Sequence, residues 1–236
     1  MNLLLLTPDD RDGACWRVAG RRAEHIRRVL GLAVGDSLAC GELNGDIGRA
    51  TLLADDGEAL ELEFSPQHAP PAPSTITLIV ALPRPKMLKR MLIDATSLGI
   101  KRIVLLNSGK VEKSYWQTPN LKAALLEEKM LLGLEQARDT VLPELLLRPR
   151  FKPFVEDELD TLAGNGQRLL AHPGNYPPIP AGLDGPMTLA IGPEGGWTDY
   201  EVGMFEQRGF ACHSFGERIL RVETALPAMI GRLRHL

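Results

Sequence analysis

The sequence predicts two folds in one chain: a small β-barrel-like domain over residues 1–70, then a larger α/β domain with a mostly parallel sheet over residues 74–236. Three observations carry this. Before residue 66 the apolar segments are short and separated by glycines. After residue 74 they become near-continuous apolar runs alternating with amphipathic helical stretches. Between them lies Pro66-Gln67-His68-Ala69-Pro70-Pro71-Ala72-Pro73-Ser74, a stretch that proline stiffens into a semi-rigid linker.

Taken in order, Leu3–Leu6 is an apolar run bounded by Pro8, Asp9 and Asp10, too short and lacking the basic start of a signal peptide. A helical stretch covers Ala23 to Leu30. Gly31, Gly35, Gly41, Gly45, Gly48 and Gly57 then separate patches such as Ser37–Cys40 and Ala50–Leu53. The alternation in Ala59-Leu60-Glu61-Leu62-Glu63-Phe64 fits a half-buried strand.

Beyond the linker, Thr75–Leu82 is apolar almost throughout, as a strand buried on both faces must be. The next helix carries Met87, Leu88, Met91, Leu92, Ala95 and Leu98 on one side and ends at Gly99. Arg102–Leu106, a helix around Leu121 to Arg138, Arg168–His172, Met187–Ile191 and Ala211–Phe215 follow. A last helix carries Leu226, Met229, Ile230 and Leu233, with Thr224 as its cap and Pro227 in its first turn. Strands alternating with helices build a parallel sheet.

Composition narrows the class. With 44% apolar and 24% charged residues the chain is neither disordered nor a membrane bundle. Cys15, Cys40 and Cys212 are far apart and form no Cys-x-x-Cys pair, so no zinc site or disulfide framework is expected and a cytoplasmic location fits best. A net charge of −3 argues against coating nucleic acid by bulk charge. Its distribution says more. Six arginines fall between Arg11 and Arg28 against Asp12 and Glu24, and eight basic residues fall between Arg84 and Lys113 against Asp94 and Glu112. The acids concentrate elsewhere, from Glu42 to Glu63 and from Glu156 to Asp160. Arginine forks grip phosphate, so one basic segment in each domain points to a polyanionic partner; a solvated helix face is the plainer reading of either alone.

The chemistry is concentrated at three turns that follow apolar runs. Leu189-Ala190-Ile191 leads into Gly192-Pro193-Glu194-Gly195-Gly196-Trp197, and Thr198 with Glu201 has capping-box spacing, so a helix starts there. A strand running through a glycine-rich turn into a helix is a ligand-binding arrangement at the carboxyl edge of a sheet. It matches neither the dinucleotide fingerprint nor the P-loop. A second turn is Phe215-Gly216-Glu217-Arg218-Ile219-Leu220-Arg221-Val222-Glu223-Thr224-Ala225, and a third is His172-Pro173-Gly174. All three can converge on one pocket, although a tight turn with Glu194 merely exposed accounts for the same glycines.

LLAHPG, IGPEGGWTDYE and FGERILRVETA, in this order, resemble the three cofactor loops of the SPOUT, or trefoil-knotted, RNA methyltransferases. The likeness is to the E-type family that methylates N3 of a uracil in 16S ribosomal RNA of the small subunit. Ala23–Leu30 resembles that family's His-x-x-x-Val-Leu signature, through His25, and Glu135-Gln136 its mid-domain Glu-Gln. The resemblance implies a PUA-like β-barrel RNA-binding domain followed by a trefoil-knotted SPOUT domain that works as a homodimer. It implies S-adenosyl-L-methionine held by His172, Pro173, Gly174, Ile191, Gly192, Pro193, Glu194, Gly195, Gly196, Phe215, Gly216, Ile219, Leu220, Thr224 and Ala225. RNA would be met by Arg11, Arg17, Arg21, Arg22, His25, Arg28 and Arg84.

Methyl transfer from a sulfonium is an in-line displacement for which no metal is expected; positioning does most of the work. Uracil N3 must lose a proton, so Glu194 and Glu223 are the candidate bases, and Arg221 is placed to stabilise charge on the uracil oxygens. The plainer reading has Glu223 capping the last helix and Arg221 paired with it. The chain departs from the family at Gly31, Ser97 and Asp139, where basic, acidic and basic residues are usual. The alternatives are therefore a divergent enzyme acting on another RNA site, or a non-catalytic RNA-binding or ribosome-assembly factor on this scaffold.

Overall fold

The structure, a computed structural model, describes residues 1–234 and divides into two compact units. The first comprises Met1–Ala72 with Met130–Leu142, the second Pro73–Lys129 with Pro143–Leu236.

The first unit is built on β1 (Leu4–Leu6), β2 (Arg11–Asp12), β3 (Cys15–Ala19), β4 (Ser37–Glu42), β5 (Ile47–Asp55) and β6 (Ala59–His68). They form one sheet in the order β1-β4-β5-β6-β3-β2, antiparallel except for β1 beside β4. Register shifts at Ile47/Gly48 and Leu52/Ala54 place irregularities in the long β5–β6 ladder, and such bulges bend and twist a sheet. The sheet curls around Leu4, Leu6, Trp16, Val18, Ile26, Leu52, Leu60 and Leu62. Alternation in β6 is as read: Leu60 and Leu62 face inward, Glu61 and Glu63 outward. The helix Gly20–His25 continues into a wider turn, Ile26–Leu30, closed by Gly31.

The segment Met130–Leu142, expected in the second domain, groups with the first. It contains the later turns of the helix Ala123–Ala137. The Asn2 and Leu3 N–H groups both donate to the Glu135 carbonyl at 3.1 Å, Asn44 N–H to the Thr140 carbonyl at 2.8 Å, and Leu142 N–H to Asn44 Oδ1 at 2.9 Å. These bonds satisfy backbone groups that would otherwise be stranded, at a helix carboxyl end among others.

The second unit contains β7 (Ile76–Ala81), β8 (Arg102–Leu106), β9 (Glu144–Arg148), β10 (Gln167–Ala171), β11 (Met187–Ile191) and β12 (Ala211–His213). All pairs are parallel, in the order β12-β10-β11-β7-β8-β9. Leu78, Ile79, Val80, Leu189 and Ala190 of the central strands are fully buried, which explains their unbroken apolar runs. Helices Pro85–Ser97, Asp199–Gln207 and Val222–Leu233 cover the sheet, and three short helical pieces occupy Phe151–Pro153, Phe154–Glu158 and Leu159–Ala163.

The last helix corrects one expectation. It begins at Val222 with Arg221 as cap, through a carbonyl that accepts from Thr224 and Ala225 at 2.9 and 2.8 Å. Thr224 therefore lies inside the helix rather than capping it, and Pro227 sits beyond the first turn, where it removes a backbone donor.

Candidate active site

Register places the three turns side by side. Ala171, the last residue of β10, is level with Ile191 of β11 and with His213 of β12. Because all three strands run parallel, the turns after residues 171, 191 and 213 leave the sheet from one edge. They enclose a cleft of about 580 Å³, open to solvent.

Of the residues expected to hold a cofactor, His172, Pro173, Ile191, Gly192, Pro193, Glu194, Gly196, Phe215, Gly216, Ile219, Leu220 and Ala225 line this cleft. Gly174 lies in an adjoining groove with Asn175 and Glu217. Gly195 backs onto Lys110, and Thr224 is outside the wall, as are Arg221 and Glu223. Ala171, Arg218, Val222 and Met229, which were not among the expected cofactor residues, complete the lining. Val222 follows from the helix starting three residues earlier than expected.

Glycine is needed at two points. At Gly192 a side chain would meet the Trp197 backbone and indole at 3.1 to 3.2 Å. Gly196 has φ of +68°, and its N–H donates to the Pro193 carbonyl at 2.8 Å, closing the turn. Ile191, Leu220, Val222, Ala225 and Met229 give the cleft apolar walls. Near them are two buried nitrogens with no hydrogen-bond partner among the described residues, His172 Nδ1 and Trp197 Nε1. An apolar slot with a glycine floor and unmet polar groups suits a flat, nitrogen-rich ligand.

A segment that the sequence analysis counted only as part of a basic run holds the glycine-rich turn. After β8, Ser108, Gly109 and Lys110 lie against it. Lys110 Nζ donates to the Gly195 carbonyl at 2.7 Å and the Trp197 carbonyl at 3.2 Å. The Glu201 carboxylate, 3% exposed, accepts from Gly109 N–H at 2.7 Å, Ser108 Oγ at 3.2 Å, Thr198 N–H at 2.8 Å and Thr198 Oγ1 at 3.0 Å. The predicted capping box is present, and its glutamate also anchors a neighbouring loop. Burial holds the His172 imidazole below its ordinary pKa, and the Lys110 charge adds to this while Asp199 opposes it. Glu194 stands at the rim with Arg84 Nε at 3.6 Å.

Arg221 and Glu223 form no ion pair with each other among the described residues, and the Arg221 side chain is exposed without a carboxylate partner. Folding changes the charge picture of the first unit. Arg17 pairs with Asp56 at 2.6 Å, Arg21 with Glu135 at 2.9 Å, Arg22 with Asp10 at 2.6 Å, Arg27 with Asp55 at 2.5 Å and Arg28 with Glu24 at 2.8 Å. Backbone N–H groups of Ala59 and Glu58, with Arg17, bring the Asp56 carboxyl down to about 2. Arg11 lies over the Trp16 ring at 4.6 Å, and His25 is half-buried. Thus the separation of acids from arginines along the chain does not survive in space.

Comparison with known proteins agrees with this geometry. Residues 70–234 match the model of the RNA methyltransferase domain family. A ribosomal RNA small subunit methyltransferase E from Treponema pallidum is 31% identical over 232 residues, covering 95% of this chain and 87% of the relative. Its namesake from Synechocystis is 29% identical, covering 99% and 77%. Among solved structures, a probable rRNA-methyltransferase from Porphyromonas gingivalis superposes with a TM-score of 0.76 at 23% identity, covering 98% of this chain and 95% of that one. The Neisseria gonorrhoeae ribosomal RNA small subunit methyltransferase E, crystallised with S-adenosyl methionine, gives 0.74 at 19% identity, covering 97% and 95%. These likenesses establish the fold: a parallel α/β methyltransferase domain after a small β domain.

Proposed function

The chain belongs to the RNA methyltransferase domain family, and on that premise we propose that it transfers a methyl group from S-adenosylmethionine to N3 of a uridine in 16S ribosomal RNA of the small subunit. The observation that carries this reading is the meeting of three strand-end turns around one glycine-floored cleft. His172, Pro173, Ile191, Gly192, Gly196 and Leu220 would hold the cofactor, with Gly174, Gly195 and Thr224 supporting the turns from outside the wall. When bound, S-adenosylmethionine supplies a methyl group made electrophilic by its sulfonium.

The chain's own part is positioning and proton handling. Glu194, the candidate base that lines the cleft, takes the proton from uracil N3, while Arg84 keeps its carboxylate at the rim. Glu223, outside the wall, serves the amino end of its helix, where negative charge is favoured. Arg221, unpaired and exposed, stabilises charge on the uracil oxygens.

A second copy completes the site: Ile219, 79% exposed on the turn after β12, is an apolar side chain that a homodimer would cover. As a ribosomal RNA enzyme the protein works in the cytoplasm; no helix among the described residues is long and apolar enough to cross a membrane. The test is nucleoside mass spectrometry of ribosomal RNA from a deletion strain, with reconstitution by purified protein. Loss of N3-methyluridine from the small subunit and its restoration are expected. Full N3-methyluridine in the deletion strain would remove this target.

A further inference from the structure

The first unit contains eight arginines, Arg11, Arg17, Arg21, Arg22, Arg27, Arg28, Arg49 and Arg138, and no lysine. Five pair with carboxylates and Arg11 lies over an indole ring. Arg49 and Arg138 have no carboxylate partner among the described residues. They lie 89 positions apart in sequence, yet both line one open groove of about 950 Å³ in this unit.

Among the described residues no acidic side chain lines that groove, in a chain with 30 acidic residues. Leu3 and Ile47 contribute an apolar floor, and Gln67 and His68 add polar groups from the end of β6. The His68 Nδ1 lies 2.9 Å from the Ala69 carbonyl, to which it donates. Arg49 is steered without being neutralised: Nε and Nη2 donate to Ser37 Oγ at 3.0 and 2.6 Å, and Nη2 also to the Ser37 carbonyl at 2.9 Å. Arg138 has φ of +56°, a left-handed position at a helix end where glycine fits without strain. A charged side chain stands there instead.

We infer that this groove, and not the arginine-rich segment 11–28, is where the first unit grips RNA, with Arg49 and Arg138 on backbone phosphates and the apolar floor under sugar or base. The inference rests on the methyltransferase reading for the class of partner; its location comes from which arginines folding leaves uncompensated. Two unneutralised guanidinium groups flanking an acid-free channel form a phosphate-binding pair. A cation at a helix carboxyl end also stabilises the helix dipole, so the test separates binding from folding.

The probe is a fluorescein-labelled, 20-nucleotide single-stranded RNA of mixed sequence, titrated by anisotropy over a range of KCl concentrations. The double variant Arg49→Gln/Arg138→Gly is expected to bind about tenfold more weakly at low salt, with a salt slope shallower by about 1.4. Arg49→Lys/Arg138→Lys, which keeps both charges, recovers most of the affinity. Arg150→Gln/Lys152→Gln, an equal loss of charge in the second unit, changes it less than twofold. Melting and calorimetric binding of S-adenosylmethionine stay at wild-type values in every variant.

Wild-type affinity and slope in the groove double variant would overturn the groove, as would an equal loss of affinity in Arg150→Gln/Lys152→Gln. Failure of the unmodified protein to bind S-adenosylmethionine would instead sink the methyltransferase reading. Cofactor binding without any RNA binding would remove the groove and the RNA substrate together.

Discussion

Lys110 and Gly195 are 85 residues apart in sequence and 2.7 Å apart in space, ammonium to carbonyl. The bond fixes the middle of the glycine-rich turn from outside the cleft, leaving the inner face free for a ligand. Glycine alone gives a turn freedom; this contact takes some of it away. Replacing Lys110 by Met is expected to weaken S-adenosylmethionine binding about tenfold by calorimetry, the scale of one charge-assisted hydrogen bond. The same variant raises the His172 pKa, because one of the two influences holding it down is gone. An NMR titration showing an unmoved imidazole would break the link between the two residues.

Glu201→Ala should destabilise the second unit by about 3 kcal/mol, since it strands the Gly109 and Thr198 N–H groups that a buried carboxylate now satisfies. Urea denaturation measures this. A loss under 1 kcal/mol would mean that water replaces the carboxylate at no cost.

Arg221→Ala is expected to lower the methylation rate at least about a hundredfold, the scale of a lost charge-stabilising donor. Its exposed, unpaired side chain makes no contribution to the fold, so melting temperature and cofactor affinity stay unchanged. Turnover at the wild-type rate would take Arg221 out of the mechanism.

Acid should weaken the fold through His172. Its imidazole is harder to protonate in the folded chain than at the ordinary value of 6.5, so the unfolded chain takes up more protons in the window below 6.5. Stability is unaffected by this group well above that pH and falls as pH drops through it. His172→Gln should flatten the slope between pH 6.5 and 5 in thermal melts; an identical slope would assign the effect elsewhere.

Much of the second unit was legible because its strands are buried on both faces and its turns carry glycine and proline at their boundaries. The Leu145–Leu147 run of β9 was not: Pro143 and Pro149 frame it, and three leucines carry no period that separates strand from helix. The start of the last helix was misread because Thr224 is a better side-chain cap than Arg221, while the backbone carbonyl of Arg221 did the capping. The cleft was read from local motifs, each contained in a few residues. Lys110 escaped because its role exists only across 85 positions. For the same reason the arginines of the first unit looked uncompensated: Asp56 lies 39 residues from Arg17, and Glu135 lies 114 from Arg21.

The alignment of Ala171, Ile191 and His213 makes the cleft sensitive to counting. Removing one residue from β10, β11 or β12 would draw the attached turn back by about 3.3 Å and turn its side chains to the opposite face of the sheet. Substitutions along these strands have to respect volume, but their lengths have no tolerance at all. A homologue that gains or loses a residue there must shift a compensating residue into the turn itself or abandon the pocket.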